Sequence, residues 1–198
     1  MEIDYPVPSI VEQTPQGERS YDIYSMLIKH RVVFIGSPID STLADLVVSE
    51  LLYLQSDDPE RGINVYVNSP GGDVDAGLAI YDTMHLVRPN VATTCLGTAV
   101  GIAALLVAGG AHGDRAVLPN ARMMLHQPST ELEGTAADID VRAREVLRLN
   151  ARLTELLASD TAHAVERVAQ DLNRGFWLNA EEARSYGIID SIVGHHPG

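Results

Sequence analysis

The sequence predicts an α/β fold built on a mostly parallel sheet. Three observations lead there. Strand-like β-branched runs alternate with helical stretches four times along the chain. The connections between them are short, so the units read as βαβ with right-handed crossovers. Glycine-rich turns close two of the strands, at Asn68-Ser69-Pro70-Gly71-Gly72 and at Gly97–Gly101. Open sheets of this kind place their sites at such strand ends.

The elements follow in order. Pro6, Pro8, Pro15 and Gly17 interrupt residues 1–20, which predicts an irregular arm. Ser20–Lys29 carries Ile23, Met26 and Leu27 at helical spacing. Arg31–Gly36 is a β-branched run stopped by glycine, a buried strand. Asp40-Ser41 caps a helix whose apolar face is Leu43, Leu46, Val47 and Leu51. Ile63–Val67 is the next strand and Asp73–Val87 the next helix. Val91–Leu96 is a strand, followed by a sharp turn at Gly97–Gly101 and a wholly apolar helix to Ala108. Val117–Leu118 and Met123–His126 read as short strands.

The pattern then changes. Thr135–Ala158 reads as one long helix, with Ile139, Ala143, Val146, Leu149, Leu153 and Leu156 on one stripe. A helix this long projects from a domain of this size and leaves part of its stripe bare, so another copy is expected to cover it. Thr161–Leu172 and Ala180–Tyr186 are shorter helices, and Ile188–Val193 a closing strand.

Composition bounds the function. A chain of 198 residues with 45% hydrophobic and 21% charged residues suits one globular domain. A formal net charge of −13 makes nucleic acid or an anionic membrane an unfavourable partner. Cys95 is the lone cysteine, so no disulfide forms within the chain. The first twenty residues lack the basic start and apolar core of a secretory leader. The longest apolar run, Ile102–Gly110, is too short to span a bilayer. These features predict a soluble cytoplasmic protein.

The organising stretch is Thr94–Gly110, TCLGTAVGIAALLVAGG. A strand–turn–helix corner of this form can present a nucleophile beside free backbone N–H groups. Here the corner carries Gly101, with neither Ser nor Cys in that position. His126, at a strand end in Met123-Met124-Leu125-His126-Gln127-Pro128, is the candidate general base.

Four stretches carry a resemblance to a known family: GERSYDIYSMLIKHRVVFIGSPID, NVYVNSPGGDVDAGLAIYDTM, RAVLPNARMMLHQP and LNAEEARSYGIIDSIV. From about Gly17 to Val193 the chain resembles the ClpP family, the proteolytic subunits of the ATP-dependent Clp protease. The resemblance implies a crotonase-like fold of repeated ββα and βαβ units. It implies an N-terminal arm or axial loop at 1–20, a domain at 21–194 and a disordered tail at 195–198. A protruding handle helix is expected at about 132–158. It also implies two stacked heptameric rings, an ATPase unfoldase docked on the ring face, unfolded polypeptide as cargo, and no cofactor or metal.

The family's chemistry does not follow. The resemblance sets its Ser-His-Asp triad on Gly101, His126 and Gly175, so only His126 remains. Gly101 has no attacking oxygen, and Gly175 no carboxylate to orient the imidazole. The oxyanion donors map to the backbone N–H groups of Gly72 and Ile102. The substrate positions map to Asp73, Val74 and Pro128, with an extended peptide along Asp73-Val74 as an added strand. Ser69, Thr98 and Ser129 are weak replacements for the nucleophile. Asp171 and Asp190 stand away from the matching acid position, and His195-His196 has no ligand partners at metal spacing. Gly71 and Gly72 are expected to serve the turn itself. The loop after Pro128 reads Ser129-Thr130-Glu131 where the family has glycines. The unfoldase pocket matches Leu52 and Tyr66 but also Asn64, Thr94 and Ala116, which shrink its apolar area.

The expectation is a non-catalytic subunit of a Clp assembly, with a structural or regulatory role beside an intact ClpP paralogue. The rivals are an active serine peptidase using an unorthodox residue, and a crotonase-type acyl-CoA enzyme. The second shares the paired backbone donors but not the handle.

Overall fold

The computed structural model describes residues 8–14, 17–128 and 133–194. The chain opens with an antiparallel hairpin, β1 (Ser9–Thr14) and β2 (Gly17–Asp22), rather than the irregular arm expected from its prolines. Residues that break a helix also turn a hairpin, so the same letters serve either outcome. Helix α1 (Ile23–Lys29) follows, capped by the Asp22 carboxylate.

The core is a mostly parallel sheet under a layer of helices. Strand β3 (Val32–Ile35) leads through α2 (Ser41–Asp57) to β4 (Ile63–Ser69). Then α3 (Val74–Leu86) leads to β5 (Val91–Val100) and α4 (Ile102–Ala108). Asp40 and Asp73 cap α2 and α3 by accepting the N–H groups of Leu43 and Ala76, each at 2.8 Å. All seven residues of α4 are buried, as a helix apolar all round requires. On α2 the buried face is Ala44, Val47, Leu51 and Leu54; Leu46, expected there, points to solvent.

Strand β5 does not stop at Leu96, and the expected turn at Gly97–Gly101 is mostly strand. Its first half pairs with β6 (Arg115–Val117), its second half with β7 (Arg122–Leu125). The pairing with β4 slips between Val67 and Ser69. Asn68 spans the slip, its side-chain oxygen accepting the Thr98 N–H at 3.1 Å. The sheet therefore forks at β5, and the second branch continues to β8 (Phe176–Leu178), which pairs antiparallel with β7.

The long helix α5 runs Ala136–Thr161. At 1.5 Å per residue it is about 39 Å long. Thr135 and Asp138 close a capping box at its start. Its buried residues, from Leu153 to Thr161, all lie in the last third. Ile139 is exposed, and Ala143, Val146 and Leu149 are half-buried, so the stripe is largely uncovered along the projecting part. Thr161 ends this helix rather than opening the next. The break comes at Ala162, which turns into the left-handed region, and α6 spans Val165–Arg174. Helix α7 (Ala180–Tyr186) ends at Gly187 as expected. The closing strand β9 is only Ser191–Ile192; Ile188 and Ile189 are buried in the approach to it.

Candidate active site

Three elements meet where β5 ends. Gly101, between β5 and α4, has φ 56 and ψ −115, a conformation that L side chains rarely adopt. This is the strained strand-to-helix geometry that exposes a nucleophile in hydrolase elbows. Gly101 takes this geometry with no side chain, at the little steric cost glycine has for positive φ. The Gly101 N–H donates to the Met124 carbonyl at 2.9 Å, which ties the corner to β7. His126 follows β7 directly. A Cβ built on Gly101 would stand 2.9 Å from His126 Nε2, closer than real Cβ atoms come to other groups. The imidazole thus packs against the bare glycine.

Gly175, the C-cap of α6, lies on the other side of the same residue. Its Cβ would meet the His126 Cβ at 3.5 Å, ordinary contact, although φ is 63. Gly101, His126 and Gly175, 74 residues apart from first to last, are thus brought together. Gly101 faces the imidazole ring, and Gly175 faces the Cβ of the same residue.

His126 is not left unoriented, which corrects the expectation from sequence. Its Nδ1 lies 2.6 Å from the Gln127 carbonyl oxygen. A carbonyl only accepts, so Nδ1 carries the hydrogen and Nε2 is the nitrogen facing Gly101. Among the described residues Nε2 makes no hydrogen bond. A backbone acceptor thus fixes the tautomer that a triad carboxylate would fix.

Gly72 sits across the cavity. Its Cβ would fall 2.1 Å from the Ile39 oxygen, so only glycine fits there. Ile39 donates to the Gly71 oxygen and accepts from the Asp73 N–H, both at 2.8 Å. Peptide groups alternate along an extended segment, so the N–H and C=O of Gly72 itself point to the opposite side. Ile102 opens α4, and its N–H has no partner within the helix.

A cavity of about 150 Å³ joins these groups. Gly72, Val74, Gly101, Ile102, His126 and Pro128 line its mouth. Leu105, Leu125, Leu153, Leu157 and Leu172 form its apolar back. Leu153 and Leu157 come from the base of α5, so the long helix closes the cavity it projects from. Sequence reasoning gave none of these leucines a part in the site. Of the expected substrate residues, Asp73 is outside the lining. Its carboxylate caps α3 and its N–H is taken by Ile39. Val74 is already helical, so the free extended edge is Gly72 alone.

No replacement nucleophile approaches His126 among the described residues. Ser69 is fully buried and donates to the Ser37 carbonyl at 2.7 Å. Thr98 sits in the β5 slip against Asn68. Burial pushes the Cys95 thiol up to about 12, so it stays protonated. Asp171 accepts from the Tyr186 hydroxyl at 2.9 Å, and Asp190 is bound to Arg115 at 2.6 Å. Neither carboxylate serves His126. Ser129, Thr130, Glu131, His195 and His196 lie outside the described residues. Among the described residues no group of His, Cys, Asp and Glu side chains converges as a metal site, and no helix is long and apolar enough to cross a membrane.

The expected docking positions form a surface row. Tyr66 pairs with Phe34 and Thr94, and Thr94 pairs with Ala116, so these side chains stand side by side on four adjacent strands. Asn64, two residues before Tyr66, shares their face and is exposed. Leu52 on α2 is also exposed.

Compared with known protein families, the chain matches the family described as Clp protease over residues 15–196.

Proposed function

We propose that this chain, which belongs to the Clp protease family, is a non-catalytic subunit that acts beside an intact paralogue in a Clp assembly. The observation that carries the reading is Gly101 against His126. The corner, the base and its tautomer are in place, yet the atom that would attack a carbonyl is absent. Gly175 adds to this, because a carboxylate that would stabilise the imidazolium is missing from the position beside His126. The oxyanion donors of Gly72 and Ile102 then serve binding rather than turnover. The projecting, uncovered stripe of α5 supports a role in an oligomer, with stacked heptameric rings as the proposed form. An ATPase unfoldase reaches such a complex mainly through the partner subunits, since Asn64, Thr94 and Ala116 weaken this subunit's own pocket.

The test is covalent labelling. The purified protein is treated with a fluorophosphonate probe and assayed on short peptides. No label and no cleavage are expected. Labelling of one residue, abolished by mutating it, establishes the rival reading of an active peptidase with an unorthodox nucleophile.

A further inference from the structure

We propose that the cleft between the end of α3, the turn after α4 and the last residues of α5 binds a primary alkylammonium ion. The cleft has a volume of about 370 Å³. It lies at the Val91 end of β5, opposite the Gly101 corner, so the inference stands apart from the non-catalytic reading.

The lining presents acceptors, and its donors are engaged. Asp160, 8% exposed, forms the floor, and among the described residues its carboxylate accepts only from the Tyr81 hydroxyl. Burial pushes this carboxyl up from its ordinary 3.8, against the pull of the Tyr81 hydroxyl, His85, Arg115 and His112. Arg115 lies outside the lining, its guanidinium held by Asp190 and by the Ala108 and Asp160 carbonyls. His85 stacks on the Tyr81 ring at 4.3 Å between centroids. Its Nδ1 donates to the Tyr81 carbonyl at 2.8 Å, so Nε2 is a bare acceptor. Asn90 donates through Nδ2 to Asp114 at 2.6 Å, which leaves Oδ1 to accept. The N–H groups of Val87, Arg88, Gly109, Gly110 and Ala111 all donate within the fold. Arg88, the one Lys or Arg of the lining, pairs with Glu60 at 2.9 Å. A ligand here must therefore donate, and a net charge of −13 draws cations toward it.

The geometry selects among cations. His85, His112 and Asp160 do not converge as a metal site. An ammonium spans wider gaps, with hydrogen bonds of about 2.7–2.9 Å against metal–ligand bonds of about 2.0–2.2 Å. A guanidinium grips a carboxylate through both oxygens at once. Here both Asp160 oxygens lie 3.0 Å from the one Tyr81 hydroxyl, which occupies that fork. Single outer lone pairs remain, and they suit the separate N–H donors of an ammonium. Met84, Val87 and Val91 supply the apolar wall for its alkyl stem.

The full chain is titrated by calorimetry with n-butylammonium, n-butylguanidinium and n-butanol, while the His85 ring resonances are followed. The ammonium is expected to bind about tenfold more tightly than either competitor and to shift the His85 signal. Asp160→Asn keeps an acceptor for Tyr81 but removes the charge, and is expected to weaken binding about tenfold. His85→Phe keeps the stack on Tyr81 and removes Nε2; it is expected to weaken binding several-fold. His85 lies on an exposed helix position, so this variant decides the matter if Asp160→Asn fails to fold. Butanol or guanidinium binding as tightly as the ammonium overturns the proposal. So does affinity unchanged in the folded variants, or no binding of the ammonium at millimolar concentration. Nα-acetyl-L-lysine methylamide and putrescine then separate a lysine side chain from a free amine as the source. Binding of either sustains the site, and binding of neither overturns it.

Discussion

Rebuilding the triad separates what Gly101 removed from what Gly175 removed. Gly101→Ser restores an oxygen at a backbone position with φ 56, and a non-glycine residue held in such a region costs about 1–3 kcal/mol. The Cβ also starts 2.9 Å from Nε2, so the ring must withdraw by a few tenths of an ångström, straining its 2.6 Å contact with Gln127. The single variant should therefore unfold at lower denaturant, by an amount matching that strain. Gly101→Ala should share most of the loss, since it carries the same Cβ.

The activity of the rebuilt site depends on what orients His126. In a Ser-His-Asp triad, losing the correct tautomer costs about 10⁴ in kcat. Here the Gln127 carbonyl already holds Nδ1–H, so Gly101→Ser begins with the right tautomer. Adding Gly175→Asp then contributes only the difference between a neutral and a charged acceptor. Neutral hydrogen bonds are worth about 0.5–1.5 kcal/mol and charged ones about 1.5–3. The difference, about 1–1.5 kcal/mol, is about tenfold in rate. Single-turnover acylation by an activated ester, run on the single and double variants, measures it. Equal rates would refute the assignment of Gly175 to the acid position. A gap near 10⁴ would refute the orienting role of Gln127.

Three further outcomes follow from the described contacts. Arg115 beside Asp190 holds that carboxyl at about 2 against an ordinary 3.8, so its stabilisation is full above 3.8 and is lost as pH falls toward 2. Asp190→Asn should cost on the order of 2 kcal/mol at neutral pH and flatten the acid limb of a stability–pH curve. Thr94→Ile and Asn64→Tyr should raise affinity for an unfoldase loop peptide, by about fourfold per added buried methylene at about 0.8 kcal/mol each; unchanged binding in a titration would remove the row at Tyr66 from the docking surface. Co-expression with an intact paralogue, followed by native mass measurement, should give mixed assemblies, whereas exclusive self-assembly at every ratio would leave the partner role without support.

What was legible in the chain depended on whether its cause lay nearby in sequence. The parallel sheet, the cap at Asp40 and the buried α4 are consequences of local pattern, and each appears as read; the cap at Asp73, read as a substrate position, does not. The absence of a side-chain oxygen at Gly101 was equally plain, because it is a property of one letter. The retained elbow was not. Glycine permits any backbone, so its presence alone does not say that φ stays at 56. The orienter of His126 was invisible for a different reason: it is a backbone carbonyl, and every residue has one. The course of β5 past Gly97 rests on Asn68, thirty residues earlier, whose side chain stands in for a ladder bond. The end of α5 was misplaced because Ala162, a good helix former, takes the left-handed turn usually given to glycine. These cases share one feature. The same extended segment that spends Asp73 on Ile39 leaves Gly72 facing the cavity, and the same helix that projects as α5 seals the cavity with Leu153 and Leu157. The corner at Gly101 holds its shape because fold-determining contacts maintain it, the Gly101 N–H on the Met124 carbonyl among them.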